Sequence, residues 1–424
     1  MRQACICVLG ALFIALTGLF STAWTQTEEA AAGDSLVQAL SRKIEHLKMR
    51  LDALETQQRA SQLEALRKKA ESFLAAPTQK PAKPRVFKGK QRALQALNPE
   101  ISVTGDYLAS YTPRASSAPF LHSLRVLGLH IESDLDPFSM MKAAVEITPE
   151  GIELGEAYAT WSAVLPGLAI TAGKFRQQFG ILNRWHEHSL DQIALPLPLT
   201  EVFGDEGLVQ TGLSLDWNMP SFSPFTQFLT VQITHATNHR LFSGITGARP
   251  VWLVHLKNYV DLNRSTYAEL GLSGLYNRSR YSANGSASPW RNTVILGADF
   301  TLLWEPPREA KYKHFLWRTE FLRLQKEWQT AQKITVYGVY TYIQRRFSSR
   351  TEAGLRLDWT QPFTPANRGK HTYQLVPYLT WWQSPWVRLR IEFRHTGGNT
   401  AQHKDNAVCI QVTWAAGPHK HERY

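Results

Sequence analysis

Two hydrophobic periods divide the chain. From Val37 the apolar residues Val37, Leu40, Ile44, Leu47, Leu51 and Leu54 recur every three or four positions, with Glu45, Lys48, Arg50, Asp52 and Glu55 between them. This spacing places them on one narrow helical stripe, the seam of a coiled coil of about three heptads. The next seam positions, Gln58, Ser61 and Ala65, carry little apolar volume, while Leu63 and Leu66 keep the segment helix-prone to about Phe73. So narrow a stripe buries little unless it meets copies of itself, and the spacing predicts a self-associating helix over residues 35–74. A lone amphipathic helix lying on another surface is the alternative.

After Asn98-Pro99 the period becomes two and stays there almost to the end. Ile101, Val103, Tyr107 and Tyr111 alternate first, then Leu127, Leu129 and Ile131, then Met141, Ala143, Val145 and Ile147. Near the C-terminus Val387, Leu389, Ile391 and Phe393 oppose Arg388, Arg390, Glu392 and Arg394, and Val408, Ile410, Val412 and Trp414 oppose Cys409, Gln411 and Thr413. One apolar and one mixed face is the pattern of strands with lipid on one side and a wet lumen on the other. The spacing predicts sixteen: 101–111, 121–135, 139–148, 152–163, 168–176, 208–217, 225–235, 250–262, 266–277, 292–304, 314–326, 333–347, 350–360, 371–383, 386–395 and 405–414.

Link lengths test this reading, since outer-membrane barrels alternate short periplasmic turns with longer external loops. Short links fall at Asp136-Pro137, Leu165-Pro166-Gly167, Asn263-Arg264-Ser265, Ser348-Ser349 and Ser384-Pro385, and long ones at 177–207, 236–249, 278–291, 361–370 and 396–404. The exceptions are a brief external turn at Pro149-Glu150-Gly151 and longer periplasmic links at 218–224 and 305–313. Trp217, Trp304, Trp359, Trp381, Trp382, Trp386 and Trp414 sit near strand ends, where interfacial girdles are expected. The fold class expected is therefore all-β, a transmembrane antiparallel barrel over residues 98–416 preceded by a periplasmic coiled-coil helix. A soluble two-sheet sandwich would also alternate, but sixteen strands with terminal aromatics do not favour it.

The first residues explain how such a chain reaches an outer membrane. Arg2, an apolar run from Ala4 to Phe20 and Ser21-Thr22-Ala23 form a signal peptide over residues 1–23, short of the roughly 20 apolar residues that span a bilayer. Cys5 and Cys7 would leave with it, and Cys409 alone cannot make an intramolecular disulfide. Residues 75–97 read as a basic linker, in which Pro77, Pro81 and Pro84 interrupt any helix and no acidic residue occurs. Residues 417–424 form a tail. Of the net charge of +12, residues 1–97 hold 15 of 47 Lys and Arg and 8 of 35 Asp and Glu, so the remainder carries only five surplus basic groups. Without a concentrated basic face or a binding motif, nucleic acid is not an expected partner.

Candidate chemistry gathers in the third external link, which contains Arg184, Trp185, His186, Glu187 and His188 and ends at Phe203-Gly204-Asp205-Glu206-Gly207. His186 and His188, with Glu187 and Asp191 nearby, have metal-binding side chains but lack a third strong ligand, as does His419-Lys420-His421. Neither metal nor cofactor is expected. Glu156-Ala157-Tyr158, Leu165-Pro166-Gly167-Leu168, Gly173-Lys174-Phe175 and Phe179-Gly180 resemble the strand-turn-strand portion of the phosphate-selective porin O/P family, over about residues 100–215. The resemblance implies a sixteen-stranded, usually trimeric channel in which a lysine and arginine path selects phosphate. No comparable lysine ladder stands in this chain.

The inward faces are instead mixed, with Lys142, His255, Lys257, Arg318, Arg356, Arg388, Arg390 and Arg394 interspersed with Asp106, Glu132, Glu146, Asp299, Glu320, Glu352, Asp358 and Glu392. Structural ion pairs and selectivity are both open for each of them. Lys174, Arg176, Arg184, His186, His188, Arg356, Arg388, Arg390 and Arg394 are the expected pore-lining residues, with Arg388 and Arg390 contributing a mild anion preference. The expected function is passive diffusion of small hydrophilic solutes across the outer membrane by a homotrimer held through coiled coil and barrel. The alternatives are a plugged envelope barrel that tethers periplasmic partners, and a barrel-embedded hydrolase using His186 or His188 with Ser189. No nucleophile elbow, phosphate-cradling Gly-rich loop or helical His-Glu-x-x-His occurs, and an enzyme is not expected.

Overall fold

The computed structural model describes residues 99–113, 119–220, 225–283, 286–287, 289–328, 332–400 and 405–417, together with Lys43. The signal peptide, the coiled coil apart from Lys43, the basic linker and the tail beyond Gly417 lie outside the described residues.

Among the described residues, sixteen long strands follow the alternating segments: β1 Glu100–Tyr111, β2 Phe120–Asp136, β3 Ser139–Thr148, β4 Gly151–Leu165, β5 Leu168–Arg176, β6 Val209–Asn218, β7 Thr226–Thr234, β8 Val251–Asn263, β9 Thr266–Ala283, β10 Arg291–Trp304, β11 His314–Glu327, β12 Lys333–Arg346, β13 Thr351–Thr360, β14 Thr372–Ser384, β15 Val387–Gly398 and β16 Asp405–Ala416. Each pairs antiparallel with the next, and β16 returns to β1 in a register from Val103 opposite Ala416 to Tyr111 opposite Val408. Closure leaves the sixteen-stranded sheet without an open edge among the described residues, the condition for sheet in a bilayer. β9 runs six residues past its expected end because Ser279, Arg280 and Tyr281 pair with a short extra strand, Ile245–Ala248, inside an external link.

The two faces separate as the period of two requires. Ile391 and Phe393 on β15 and Val408, Ile410 and Trp414 on β16 are exposed outward, while Arg388, Arg390, Glu392, Gln411 and Thr413 are buried inside. Cys409 is buried on the same inner face. An apolar exterior on a closed barrel is stable only against acyl chains, so the chain is an outer-membrane barrel of a Gram-negative envelope. Trp217, Trp304, Trp381, Trp386 and Trp414 are exposed at strand ends. Trp382 departs from the expected girdle, because it lies on the inward parity of β14 with Tyr378 and Thr380, opposite Arg388, whose guanidinium stands 5.5 Å from its ring.

The inner wall is not uniformly polar. Toward the external end of β8–β12, Leu253, Leu275, Ile295, Leu322, Leu324, Ile334 and Val336 point inward and are buried. They belong to one apolar core with Phe179, Leu182, Leu190, Leu199 and Phe203 of the third external loop. The barrel thus has a dry core inside it.

Candidate functional site

The third external loop, 177–208, folds into the barrel, and its own sequence shows why. It carries Phe179, Ile181, Leu182, Trp185, Leu190, Ile193, Leu195, Leu199, Val202 and Phe203, all buried. This is far more apolar area than a solvated loop leaves in water, at about 25 cal/mol per Å². Two short 3-10 turns, Leu182–Arg184 and Glu187–Ser189, and one short helix, α1 Leu197–Phe203, satisfy part of its backbone locally. Asn183 closes the loop's base: its amide nitrogen donates to the carbonyls of Gln177 and Leu208, and its oxygen accepts from the Leu208 N–H.

Close approach to the wall requires glycine at two places. Gly180 has φ 58, and a Cβ there would collide with the Glu320 carboxylate. Its N–H donates to Ser273 Oγ at 3.0 Å, and the next N–H, of Ile181, donates to Glu320 at 3.3 Å. Across the core, a Cβ on Gly297 would stand 2.9 Å from the Phe179 ring.

The opposite side of the loop is held by charge. The carbonyl of His188 accepts from Arg388, that of Leu190 from Arg390 at 3.0 Å, that of Ile193 from Arg125 at 2.8 Å and that of Ala194 from Arg356 at 2.8 Å. Carboxylates complete the pattern by accepting from loop N–H groups: Glu392 from Ile193 at 2.6 Å and Asp358 from Leu197 at 3.1 Å. Asp191 reaches the wall itself, accepting from the Tyr342 hydroxyl at 2.9 Å and standing 3.4 Å from Arg318. Backbone groups buried inside a barrel need partners, and here ionised side chains supply them.

The expected site residues therefore divide. Arg356, Arg388 and Arg390 face the interior as expected but are buried beneath the loop and bonded to its carbonyls; Arg394 pairs with Glu392 at 3.1 Å. Lys174 and Arg176 lie on the other side of the lumen, where Lys174 donates to the Leu154 carbonyl and Arg176 to the Glu206 carbonyl at 2.6 Å. Arg184 donates to Gln178 at 2.9 Å. His186 and His188 join His130 of β2 in a trio with ring centroids 5.1–5.5 Å apart. His186 Nε2 lies 2.8 Å from Glu156, and Nδ1 lies 3.6 Å from Glu146. Burial alone would depress the His186 pKa; the Glu146 and Glu156 carboxylates outweigh it and hold the imidazole above its usual value.

Among the described residues no group of three or more His, Cys, Asp and Glu side chains is arranged to hold a metal ion. The Ser189 hydroxyl donates to the His186 carbonyl at 2.7 Å, so it is directed at a carbonyl oxygen and not at an imidazole nitrogen. Two residues escaped the sequence reading. Arg125 turns inward because a register shift opposite Asp106 and Tyr107 breaks the alternation of β2, and it pairs with Asp106. His130 sits at a regular inward position but has no motif around it.

Open space remains on the β3–β9 side. A cavity of about 610 Å³ toward the periplasmic end is lined by Tyr158, Arg176, Arg184, Asp216, Lys257 and Glu269, among others. A second, of about 390 Å³ toward the external end, is lined by Glu146, Glu153, Lys174, Arg176, Asp205 and Arg240, among others. Arg176 lines both.

Solved structures share this architecture. OprB of Pseudomonas putida superposes with a TM-score of 0.53 at 10% identity, over 77% of this chain and 96% of that one. An anion-selective porin from Comamonas acidovorans gives 0.51 at 13% identity, over 75% and 99%. The trimer form of OmpT from Vibrio cholerae gives 0.51 at 8% identity, also over 75% and 99%. At such identities the likeness establishes the fold alone, a sixteen-stranded outer-membrane β-barrel. No protein-family model matches the chain. A 120-residue stretch is 30% identical to an uncharacterized protein of Aquifex aeolicus (strain VF5), covering 28% of this chain and about a quarter of the length of that relative.

Proposed function

We propose that the protein is a passive diffusion channel for small hydrophilic solutes, with its passage on the β3–β9 side of the lumen and its narrowest point at Arg176. The observation that carries this reading is that Arg176 lines both the external and the periplasmic cavity on this side of the anchored loop. The walls are of mixed sign: Arg176, Arg184 and Lys257 face Glu156, Asp216, Asp261 and Glu269 in the larger cavity. Strong selection is therefore not expected. A mild anion preference would come from Arg176, flanked by Lys174 and Arg184, since fixed positive charge at a constriction lowers the entry barrier for anions.

Relation to the phosphate-selective porin O/P family and a homotrimeric assembly belong to the same proposal. They rest on the short motifs around Glu156, Pro166 and Phe175 and on the heptad spacing of apolar residues from Val37 to Leu54. Deleting residues 24–74 should weaken the oligomer in mild detergent without abolishing the barrel, and light scattering reads that directly. The loop's anchoring favours a second reading, a plugged envelope barrel. Conductance in planar bilayers separates the two: discrete openings in symmetric salt support the channel, and a silent folded barrel supports the plug.

A further inference from the structure

We propose that the outer rim of β8–β10 binds the phosphorylated headgroup of a glycolipid in the external leaflet. On β9 the even-numbered residues face outward, for Leu270, Leu272 and Tyr276 are exposed while Asn277 and Ser279 are buried inside. Tyr276 marks the membrane interface, where aromatic rings with a polar end settle. Arg278 and Arg280 continue the same face, about 7 and 14 Å further along the strand.

Trp290, at the far end of the external link after β9, gathers three guanidinium groups around one indole: Arg280 at 4.0 Å, Arg249 at 5.0 Å and Arg278 at 6.0 Å from the ring centroid. Ring contacts attract each cation but leave their mutual repulsion uncancelled. The Nε groups of Arg278 and Arg280 are shielded from solvent and have no hydrogen-bond partner among the described residues. The neighbouring acid, Glu327, is engaged with the backbone and side-chain nitrogens of Asn292 at 3.0 and 3.3 Å. The cluster thus lacks an anion with several acceptor oxygens, and phosphate matches the guanidinium fork. Its place on the outside of the barrel, continuous with the lipid-facing band and away from the lumen, selects a lipid phosphate over a transported one.

The test uses the full-length folded protein in detergent, with bis-phosphorylated lipid A, its dephosphorylated counterpart and inorganic phosphate as probes, and native mass spectrometry or fluorescence titration as readout. The wild type should bind the phosphorylated lipid at least about tenfold more tightly than the dephosphorylated one. Replacing Arg278 and Arg280 together by Ser should remove that difference, with heat-modifiable migration and single-channel conductance unchanged. Trp290→Ala, which disperses the arginines and removes no charge, should lose part of it and stands in if the double variant does not fold. Equal binding of both lipids by the wild type, undiminished preference in a folded variant, or inorganic phosphate competing at the same concentration as the lipid would each overturn the proposal.

Discussion

The backbone N–H of Ile193, midway along the third external loop, donates to the Glu392 carboxylate on β15 at 2.6 Å, and Arg394 holds the other carboxylate oxygen at 3.1 Å. Glu392 is fully buried. An ionised group so placed is tolerated only with its acceptor sites filled, which makes the contact a fixed point of the loop.

Glu392→Ala should therefore loosen the loop without opening the barrel. Hydrogen bonds to charged groups contribute about 1.5–3 kcal/mol, so amide exchange at Ile193 should accelerate roughly tenfold to a hundredfold. Hydrogen-exchange mass spectrometry over the peptide spanning residues 190–197, with the heat-modifiable shift retained, reads the effect.

Replacing Arg388 and Arg390 together by Ser removes two of the arginines that bind loop carbonyls. Their place beneath the loop predicts larger and noisier single-channel currents with little change in reversal potential. A clean shift toward cations at unchanged conductance would restore the selectivity role that the sequence pattern assigns to them.

The strand pattern was legible because lipid imposes it: each outward side chain must be apolar, and a period of two exposes the rule within one strand. The inward orientation of Arg388, Arg390 and Arg356 followed from the same alternation. Their work did not follow, since a guanidinium that faces a water-filled lumen and one that binds a loop carbonyl leave the same mark in the sequence. Arg125 was hidden because the register shift on β2 reverses parity there. The dry core was written as Val251-Trp252-Leu253-Val254, a run apolar on both faces, but lipid accounts for only one of them. Its inner partners, Phe179 to Phe203, come from a loop whose distance in sequence gives no register.

That core sets a further expectation. Leu199→Ala removes a fully buried side chain between α1 and the wall, and such truncations cost about 2–5 kcal/mol. The loss falls on loop docking and not on the hydrogen-bonded barrel, so protease cleavage within residues 177–208 should appear while thermal unfolding of the barrel moves little.

A pH dependence follows from His186, whose pKa is raised because the Glu146 and Glu156 carboxylates outweigh its burial. A raised folded-state value means that the protonated imidazole stabilises the docked loop fully below its usual value, about 6.5, and that this contribution disappears as pH rises through the raised value. Arg176, close by, opposes the charge, and His130 and His188 share the site. Open-channel noise should rise with pH across that window, and His186→Gln should remove the dependence.

The passage at Arg176 is tested most directly by reversal potentials in asymmetric potassium chloride, recorded from single channels of the wild type and of Arg176→Ser. The wild type should conduct with a mild preference for chloride, and the variant should shift toward potassium by more than the Arg388 and Arg390 double variant does. A folded wild-type barrel that does not conduct, or an Arg176→Ser channel with the wild-type reversal potential, would contradict the account.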